Sequence, residues 1–206
     1  MNIGDKVGDT KYVTEQDICI GGNHYFFAYD KGNEYPYMVG EYQANELFGI
    51  YDNCVGYSDY LTAMSEWSKR ISDAITQFQT ERKATGIEPI TLSKDDVFPL
   101  SYADNIVDKI VVIKPSALRR EYQTSEHQLY FCVGGFGAEG NSRGCAVFLH
   151  SIIDDRHTRF NREDILGIIK ADKIPEWAND KVNELIAKNG NNIVSASSSI
   201  VKSIKR

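Results

Sequence analysis

The stretch "QLYFCVGGFGAEGNSRGCAVFLHSI", from Gln128 to Ile152, contains two apolar, aromatic-rich runs on either side of eleven residues with five glycines. A phosphate-binding glycine loop opens a helix or carries a lysine followed by serine or threonine. Here the glycines lead instead into "CAVFLHSI", whose composition is typical of a strand. The stretch therefore predicts a β-hairpin with an irregular or bulged connection rather than a nucleotide pocket.

The remaining sequence predicts an α+β fold. Two short strands at 11–30 are joined by Gly21-Gly22-Asn23, and apolar residues spaced three and four apart predict a long helix at 58–85. Two C-terminal helices are predicted from "NREDILGII" and "IPEWANDKVNELIAKNG". We expect one mostly antiparallel sheet, built from the hairpins at 11–30 and 128–152 plus a strand at 108–114, with the helices packed on it.

The chain is expected to have three regions. These are an acidic N-terminal region at 1–100 that contains the long helix, a domain at 101–190 that contains the glycine-rich hairpin, and a serine-rich basic tail at 191–206. The segment at 86–105 has two prolines and little periodicity, which is typical of a linker or long loop. Whether the two halves share one core is left open at this stage.

The charge is divided unequally along the chain. Residues 1–100 carry 8 Lys+Arg against 16 Asp+Glu, and residues 101–206 carry 15 against 13, which gives the net charge of −6. A general nucleic-acid binder is normally basic overall, so the balance disfavours that class. The acidic half is suited to a basic protein surface, such as one that normally holds nucleic acid. The alternative is that the acidic excess only aids solubility.

Neither a leader, a membrane span nor a cofactor motif is evident in the sequence. The first residues have no apolar core, and no run approaches the ~18 apolar residues of a spanning helix. We therefore expect a cytoplasmic protein with no membrane partner, cofactor or metal. The four cysteines form no C-x-x-C pair, and Cys132 and Cys145 are interpreted as small core residues.

Cations and aromatic residues alternate between residues 114 and 162. The predicted binding residues are Lys114, Arg119, Arg120, Phe136, Arg143, Arg156, Arg159 and Arg162. Lysine and arginine side chains beside rings form surfaces that bind single-stranded RNA or DNA. An ordinary sheet face would show the same residues, since tyrosine and phenylalanine are typical of strands.

A hydrolytic site is a weaker alternative in the same region. His127, His150 and His157 lie near several carboxylates and arginines in sequence, and a metal-independent ribonuclease needs a histidine base and a cation. No spacing among these residues is diagnostic. A solvated basic hairpin explains them as well, so the sequence favours a protein that is not an enzyme.

Five motifs occur in order between residues 114 and 178: "KPSALRREYQT", "QLYFCVGGFG", "RGCAV", "TRFNRED" and "PEWA". Together they resemble a domain of accessory proteins from conjugative and plasmid-borne elements of Firmicutes. As a stand-alone protein of 206 residues, the chain is also similar to the anti-CRISPR proteins of such elements. Those proteins inhibit the type II RNA-guided effector nuclease, and some of them truncate its guide RNA.

The resemblance implies three hypotheses. The first is an anti-defence protein that inhibits the type II CRISPR effector nuclease by binding the nuclease, its guide RNA or both, with or without truncation of the guide. The second is a ribonuclease that acts on guide or other RNA. The third is a non-catalytic accessory or regulatory module of the conjugation machinery. We favour the first, because it also accounts for the division of charge.

Overall fold

The computed structural model describes residues 1–44, 48–154, 156–185 and 187. The chain divides into two compact units, residues 1–86 and 87–206. The boundary follows a helix that ends at Gly86, whose left-handed backbone lets its N–H donate to the Lys83 carbonyl. Residues 87–100, expected in the N-terminal region, thus belong to the second unit. The tail predicted at 191–206 lies outside the described residues.

The first unit is built on a four-stranded antiparallel meander. Its strands are β1 (Val13–Ile20), β2 (Asn23–Tyr29), β3 (Tyr37–Ala44) and β4 (Gly49–Tyr57), in that order. The predicted hairpin at 11–30 corresponds to β1 and β2, which pair antiparallel. Within the described part of the chain, β4 is the last strand of the sheet and pairs with β3 alone, so the meander ends on an open edge.

The helix predicted at 58–85 corresponds to α1 (Tyr60–Thr85). It begins after Asp59, whose carboxylate accepts a hydrogen bond from the Thr62 N–H at 2.7 Å. Its buried face includes Ala63 and Trp67, which pack with Phe27 of β2 and Val39 of β3. The indole of Trp67 donates to the Tyr25 carbonyl at 3.0 Å, so the buried ring has a polar partner.

The second unit contains a six-stranded antiparallel sheet in the order β5-β10-β6-β7-β8-β9. Its strands are β5 (Val97–Pro99), β6 (Ile110–Ile113), β7 (Leu129–Gly134), β8 (Ala146–Ser151), β9 (His157–Asn161) and β10 (Ile165–Ile169). A short helix, α2 (Ser125–Gln128), precedes β7. Single 3-10 turns lie at Lys94–Asp96, Pro115–Ala117, Arg120–Tyr122, Arg162–Asp164, Ala171–Lys173 and Glu176–Ala178.

This sheet separates two apolar clusters. Val112 and Phe131 belong to one cluster, and the adjacent residues Val111 and Cys132 belong to the other. Since successive side chains of a strand point to opposite faces, the sheet is covered on both sides. The first cluster also contains Val182, which belongs to a helical segment at 179–185.

The α+β class is confirmed, because antiparallel strands dominate and helices are few. The single sheet is wrong: the hairpin at 11–30 lies in a different sheet from β6, β7 and β8. The helix predicted from "NREDILGII" is also wrong. After the turn Arg162–Asp164 the chain forms β10, and a side chain at Gly167 would collide with the Phe98 carbonyl of β5. Glycine there permits the close approach of the two strands.

The structure corrects two further predictions, which concern the linker and the last helix. The predicted linker at 86–105 contains β5, so part of it is an edge strand of the second sheet. The helix predicted from "IPEWANDKVNELIAKNG" begins as the turn Glu176–Ala178 and continues as helix at 179–185. Ala178, Val182 and Leu185 are buried in the same cluster as Phe131.

Candidate nucleic-acid interface

The predicted hairpin is confirmed: β7 and β8 pair antiparallel on either side of the glycine-rich connection. No helix begins within this connection, which lies entirely in the described part of the chain. At Gly135 the backbone has φ 107°, and a Cβ there would lie 2.5 Å from the Ala146 carbonyl oxygen. Glycine therefore allows the connection to fold back against the start of β8.

The segment 101–106 fixes the connection by backbone hydrogen bonds. The Ile106 N–H donates to the Ala138 carbonyl and the Asn141 N–H donates to the Tyr102 carbonyl, both at 2.9 Å. The Tyr102 hydroxyl donates to the Ser142 carbonyl at 2.5 Å. Polar backbone groups of the connection thus find partners inside the protein, as partly buried backbone requires.

Arg162, a predicted binding residue, holds the same two segments together. Its Nη1 donates to the Gly137 carbonyl at 2.6 Å, and its Nη2 donates to the Ser101 and Asp104 carbonyls at 2.8 Å each. A guanidinium has five N–H donors, so three acceptors leave two of them for a ligand. The structure therefore gives Arg162 a role inside the fold that the sequence prediction did not include.

Beside Arg162, the connection forms one wall of an open groove of about 650 Å³. Three of the eight predicted binding residues line it: Lys114, Arg143 and Arg162. Lys114 follows β6, and its ammonium group donates to the Glu163 carbonyl. A volume of this size lies within the range of small-molecule binding sites in general.

The groove carries an excess of positive charge. In the described part of the chain the exposed Arg143 guanidinium contacts no hydrogen-bond acceptor, and the acceptors of Lys114 and Arg162 are neutral carbonyls. Glu163 is the one carboxylate among the lining residues. Nearby, hydrogen bonds from the Ser101 N–H and hydroxyl, helped by the charge of Arg162, lower the pKa of Asp104.

Aromatic and small polar side chains complete the groove. Tyr102 is 60% exposed, although its hydroxyl is held by Ser142, so its ring is presented to solvent. Cys145, predicted to be a core residue, is exposed on the groove wall, whereas Cys132 is buried as predicted. Cys145 is exposed because it precedes β8 in the connection, whereas Cys132 is buried because it lies within β7, inside the covered sheet.

A second group of predicted residues lies on β8 and β9. His150 and His157 are register partners, and their rings stack with centroids 4.6 Å apart and planes at 19°. Next to them Arg159 is opposite the exposed ring of Phe148. His127 is not part of this group, because it lies in α2 with its ring 4.8 Å from that of Tyr122.

Arg156 and His157 line a small polar cavity of about 200 Å³ with Tyr130 and Asp154. The Arg156 Nε donates to the Asp154 carboxylate at 2.5 Å. Burial alone would raise the pKa of Asp154, but hydrogen bonds from the Ser151 hydroxyl and from Arg156 lower it overall. The cavity therefore places a histidine, a cation and an ionised carboxylate together.

The remaining predicted residues lie outside both sites. Arg119 and Arg120 are exposed at the turn Arg120–Tyr122. Phe136 is 76% exposed in the connection and lies against Gly144 of the groove wall. The sequence prediction missed Tyr102, because "SYADN" was assigned to a linker, and it missed Ser142, which lies among the glycines of the connection. A tyrosine within a segment assigned to a linker was the signal available for Tyr102.

Neither a protein-family model, a curated protein nor a solved structure matches this chain. Among the described residues, no helix has both the length and the apolar composition that crossing a bilayer requires. The resemblance to mobile-element proteins thus stays a prediction, and the groove and the β8–β9 pair are the features of the structure that bear on function.

Proposed function

We propose that the chain is an anti-defence protein of a mobile genetic element that inhibits a type II CRISPR RNA-guided nuclease. It binds the complex of effector and guide RNA, with the groove of the second unit in contact with RNA. The observation that supports this proposal is the meeting of Lys114, Arg143 and Arg162 around one groove that also exposes the Tyr102 ring.

The chemistry of the groove is suited to a single RNA strand. Lysine and arginine bind phosphate oxygens, arginine in a bidentate manner, and an exposed tyrosine ring can stack on a base. On the hairpin that β8 and β9 form, Phe148 and Arg159 offer a similar pairing of ring and cation. Each stacked base is worth ~1–3 kcal/mol, so a few contacts of this kind give measurable affinity.

The overall charge favours a complex with protein over free RNA. Residues 87–206 carry 16 Lys+Arg and 16 Asp+Glu, so the second unit has no net positive field to attract RNA from a distance. Residues 1–86 carry 7 against 13 and hold the entire net charge of −6. An acidic unit is attracted to the basic channel in which an effector holds its guide.

The test mixes purified protein with the effector and its guide RNA, then measures co-elution and target cleavage. We expect a stable complex at moderate salt and a loss of cleavage. Arg143→Glu should weaken inhibition ~10-fold or more, because a charge-assisted phosphate contact becomes a repulsion. Lys94→Glu is the matched control, since it makes the same charge change at an exposed turn outside the groove.

Absence of co-elution together with full cleavage would reject the proposal. A plasmid-protection assay in a strain with an active effector then addresses the alternative of a conjugation module. That alternative predicts no protection of the plasmid, whereas the anti-defence proposal predicts survival of plasmids that carry the protein.

The stacked histidines support a second candidate, a ribonuclease that acts on the guide RNA. His150 and His157 lie together, and His157 lines a cavity with Arg156, which could stabilise charge on a phosphorane. End-labelled guide RNA incubated with the effector, with and without this protein, distinguishes the two functions. Shortening of the RNA by the parent protein but not by His157→Ala supports catalysis. If the RNA stays intact while target cleavage is inhibited, the protein acts by binding only.

A further inference from the structure

Strand β4 and the residues around it expose an unusual amount of apolar surface. Among the described residues, six of the seventeen large apolar side chains that are exposed lie between residues 48 and 61. They are Phe48, Ile50, Tyr51, Val55, Tyr60 and Leu61. Ile50 and Val55 share one face of β4, because their partners Gln43 and Val39 share a face of β3. Exposed apolar side chains grouped on one face, unlike single ones, mark interaction sites.

The backbone of β4 is also available for pairing. Among the described residues the strand pairs with β3 alone, and eight of its nine residues are exposed. Of the features that protect natural edge strands, β4 lacks lysine and proline but has one bulge. A bulge at Asn53 interrupts the strand, where the Asn53 side chain donates to Glu41 at 3.0 Å and Arg70 donates to the Asn53 carbonyl at 2.6 Å.

All the charged residues in the same part of the sequence are acidic. Residues 32–68 contain no lysine or arginine, and their acidic residues are Glu34, Glu41, Glu46, Asp52, Asp59 and Glu66. The cation in contact with β4 is Arg70, and it is already paired with Glu66 at 2.9 Å and lies 3.9 Å from Glu41. Lys6 contributes its carbonyl oxygen, which accepts from the Tyr51 hydroxyl.

We propose that β4 is a docking edge for a basic, extended segment of a protein partner, which adds a fifth strand to the sheet. Main-chain hydrogen bonds to the free edge would supply affinity, as in other cases of strand addition. Apolar side chains of the segment would cover Ile50 and Val55, and its lysines or arginines would lie near Asp52. The inference concerns the first unit and does not require RNA binding by the groove.

The charge argues against the other possible occupants. A second copy of this chain would bring the same acidic stretch against itself, and like charges across an interface are costly. Nucleic acid would be repelled for the same reason. Ile50 and Asp52 are two residues apart and share a face of β4. A segment in which pairs of basic residues alternate with pairs of apolar residues satisfies both, because each of its faces then carries both residue types.

The probe is a synthetic peptide with the repeat Val-Val-Lys-Lys, which carries both residue types on each face of an extended strand, incubated with the full chain. We expect amides within 49–57 to be protected from hydrogen exchange in the complex. The same peptide with every backbone amide N-methylated keeps its charge but has no N–H to donate along either edge, so it should bind ~10-fold more weakly or worse. Equal binding of the two peptides without protection at 49–57 would show attraction by charge alone and overturn the proposal.

Matched variants locate the site on the protein. Val55→Lys should weaken peptide binding ~10-fold or more, since it places a cation on the edge. Ile75→Lys should leave binding unchanged, because Ile75 is 43% exposed, as against 42% for Val55, but lies outside the patch. If the free protein sediments as a dimer that Val55→Lys dissociates, the occupant is a second copy and the proposal fails. Arg143→Glu must leave peptide binding intact, which separates this result from that of the groove.

Discussion

The two sheets of the molecule differ in how far their cover extends. In the second unit all four residues of β6 are buried, and apolar clusters lie on both faces of the sheet. In the first unit the clusters centre on Phe26 and Phe27 of β2. β4 is covered only in part: Tyr57 packs against one of these clusters, but no residue of β4 is fully buried. The second sheet therefore forms a core that is covered on both faces, whereas the first sheet leaves β4 exposed and available for contact.

Two arginines of the second unit also differ in whether the fold uses their side chains or leaves them exposed. Arg162 uses its guanidinium to hold three carbonyls of its own chain, while Arg143 directs its guanidinium to solvent in the same groove. Residues of identical chemistry can thus contribute mainly to stability or mainly to binding. The surroundings of each side chain decide which, and mutations can separate the two contributions.

The largest expected effect compares a buried residue of β7 in the second sheet with an exposed residue of β4 in the first. Phe131→Ala should lower the free energy of unfolding by ~3–5 kcal/mol, because a fully buried ring leaves a cavity. Val55→Ala on β4 should change it by less than ~0.5 kcal/mol, as expected for an exposed site. Urea unfolding followed by circular dichroism measures both. Similar losses of unfolding free energy in the two variants would contradict the difference in burial between the two sites.

The next effect separates the two arginines of the groove. Arg162→Ala should cost ~2–4 kcal/mol of stability, because three carbonyl groups lose a charged donor. Arg162→Lys should recover little of this, since one ammonium cannot reproduce the fork of a guanidinium. Arg143→Ala should fall within ~0.5 kcal/mol of the parent protein. Comparable urea midpoints for Arg162→Ala and Arg143→Ala would show that the carbonyl contacts contribute nothing.

Features set by local chemistry were predictable from the sequence. The hairpin of β7 and β8 follows from two β-favouring runs around glycines, and α1 follows from its apolar spacing and its terminating Gly86. In each case the signal lies within the element itself or next to it. Pairing partners far along the chain are not needed to recognise either one.

Features set by distant partners were not predictable. "ILGII" is too short for its period to separate helix from strand, and its pairing with β5 and β6 decides the matter. β5 has three residues, which give no periodicity to detect. Arg162 meets carbonyls 25 to 61 residues away in sequence, so nothing in its own neighbourhood indicates that role.

A smaller and purely chemical effect tests the two cysteines of the hairpin. Burial raises the pKa of Cys132 to about 11, whereas Cys145 is exposed on the groove wall. At pH 8 the thiolate fraction of Cys132 is then about a thousandth. Alkylation by iodoacetamide, followed by peptide mass spectrometry, should modify Cys145 at least ~100-fold faster. In denaturing urea the two rates should converge, and convergence already in the native state would contradict the burial of Cys132.

The smallest expected effect concerns the carboxylate beside Arg162. The pKa of Asp104 is lowered, chiefly by the Ser101 N–H, so its charge contributes stability above the ordinary aspartate pKa of ~4. That contribution is lost as the pH falls through the lower value of the folded state. Asp104→Asn should therefore melt slightly below the parent protein at pH 6, and the gap should close toward pH 3. Asp172→Asn, at an exposed turn, is the control. A gap that stays constant with pH would mean that Asp104 acts through hydrogen-bond geometry alone, so that the charge of Arg162 adds nothing to this corner of the groove.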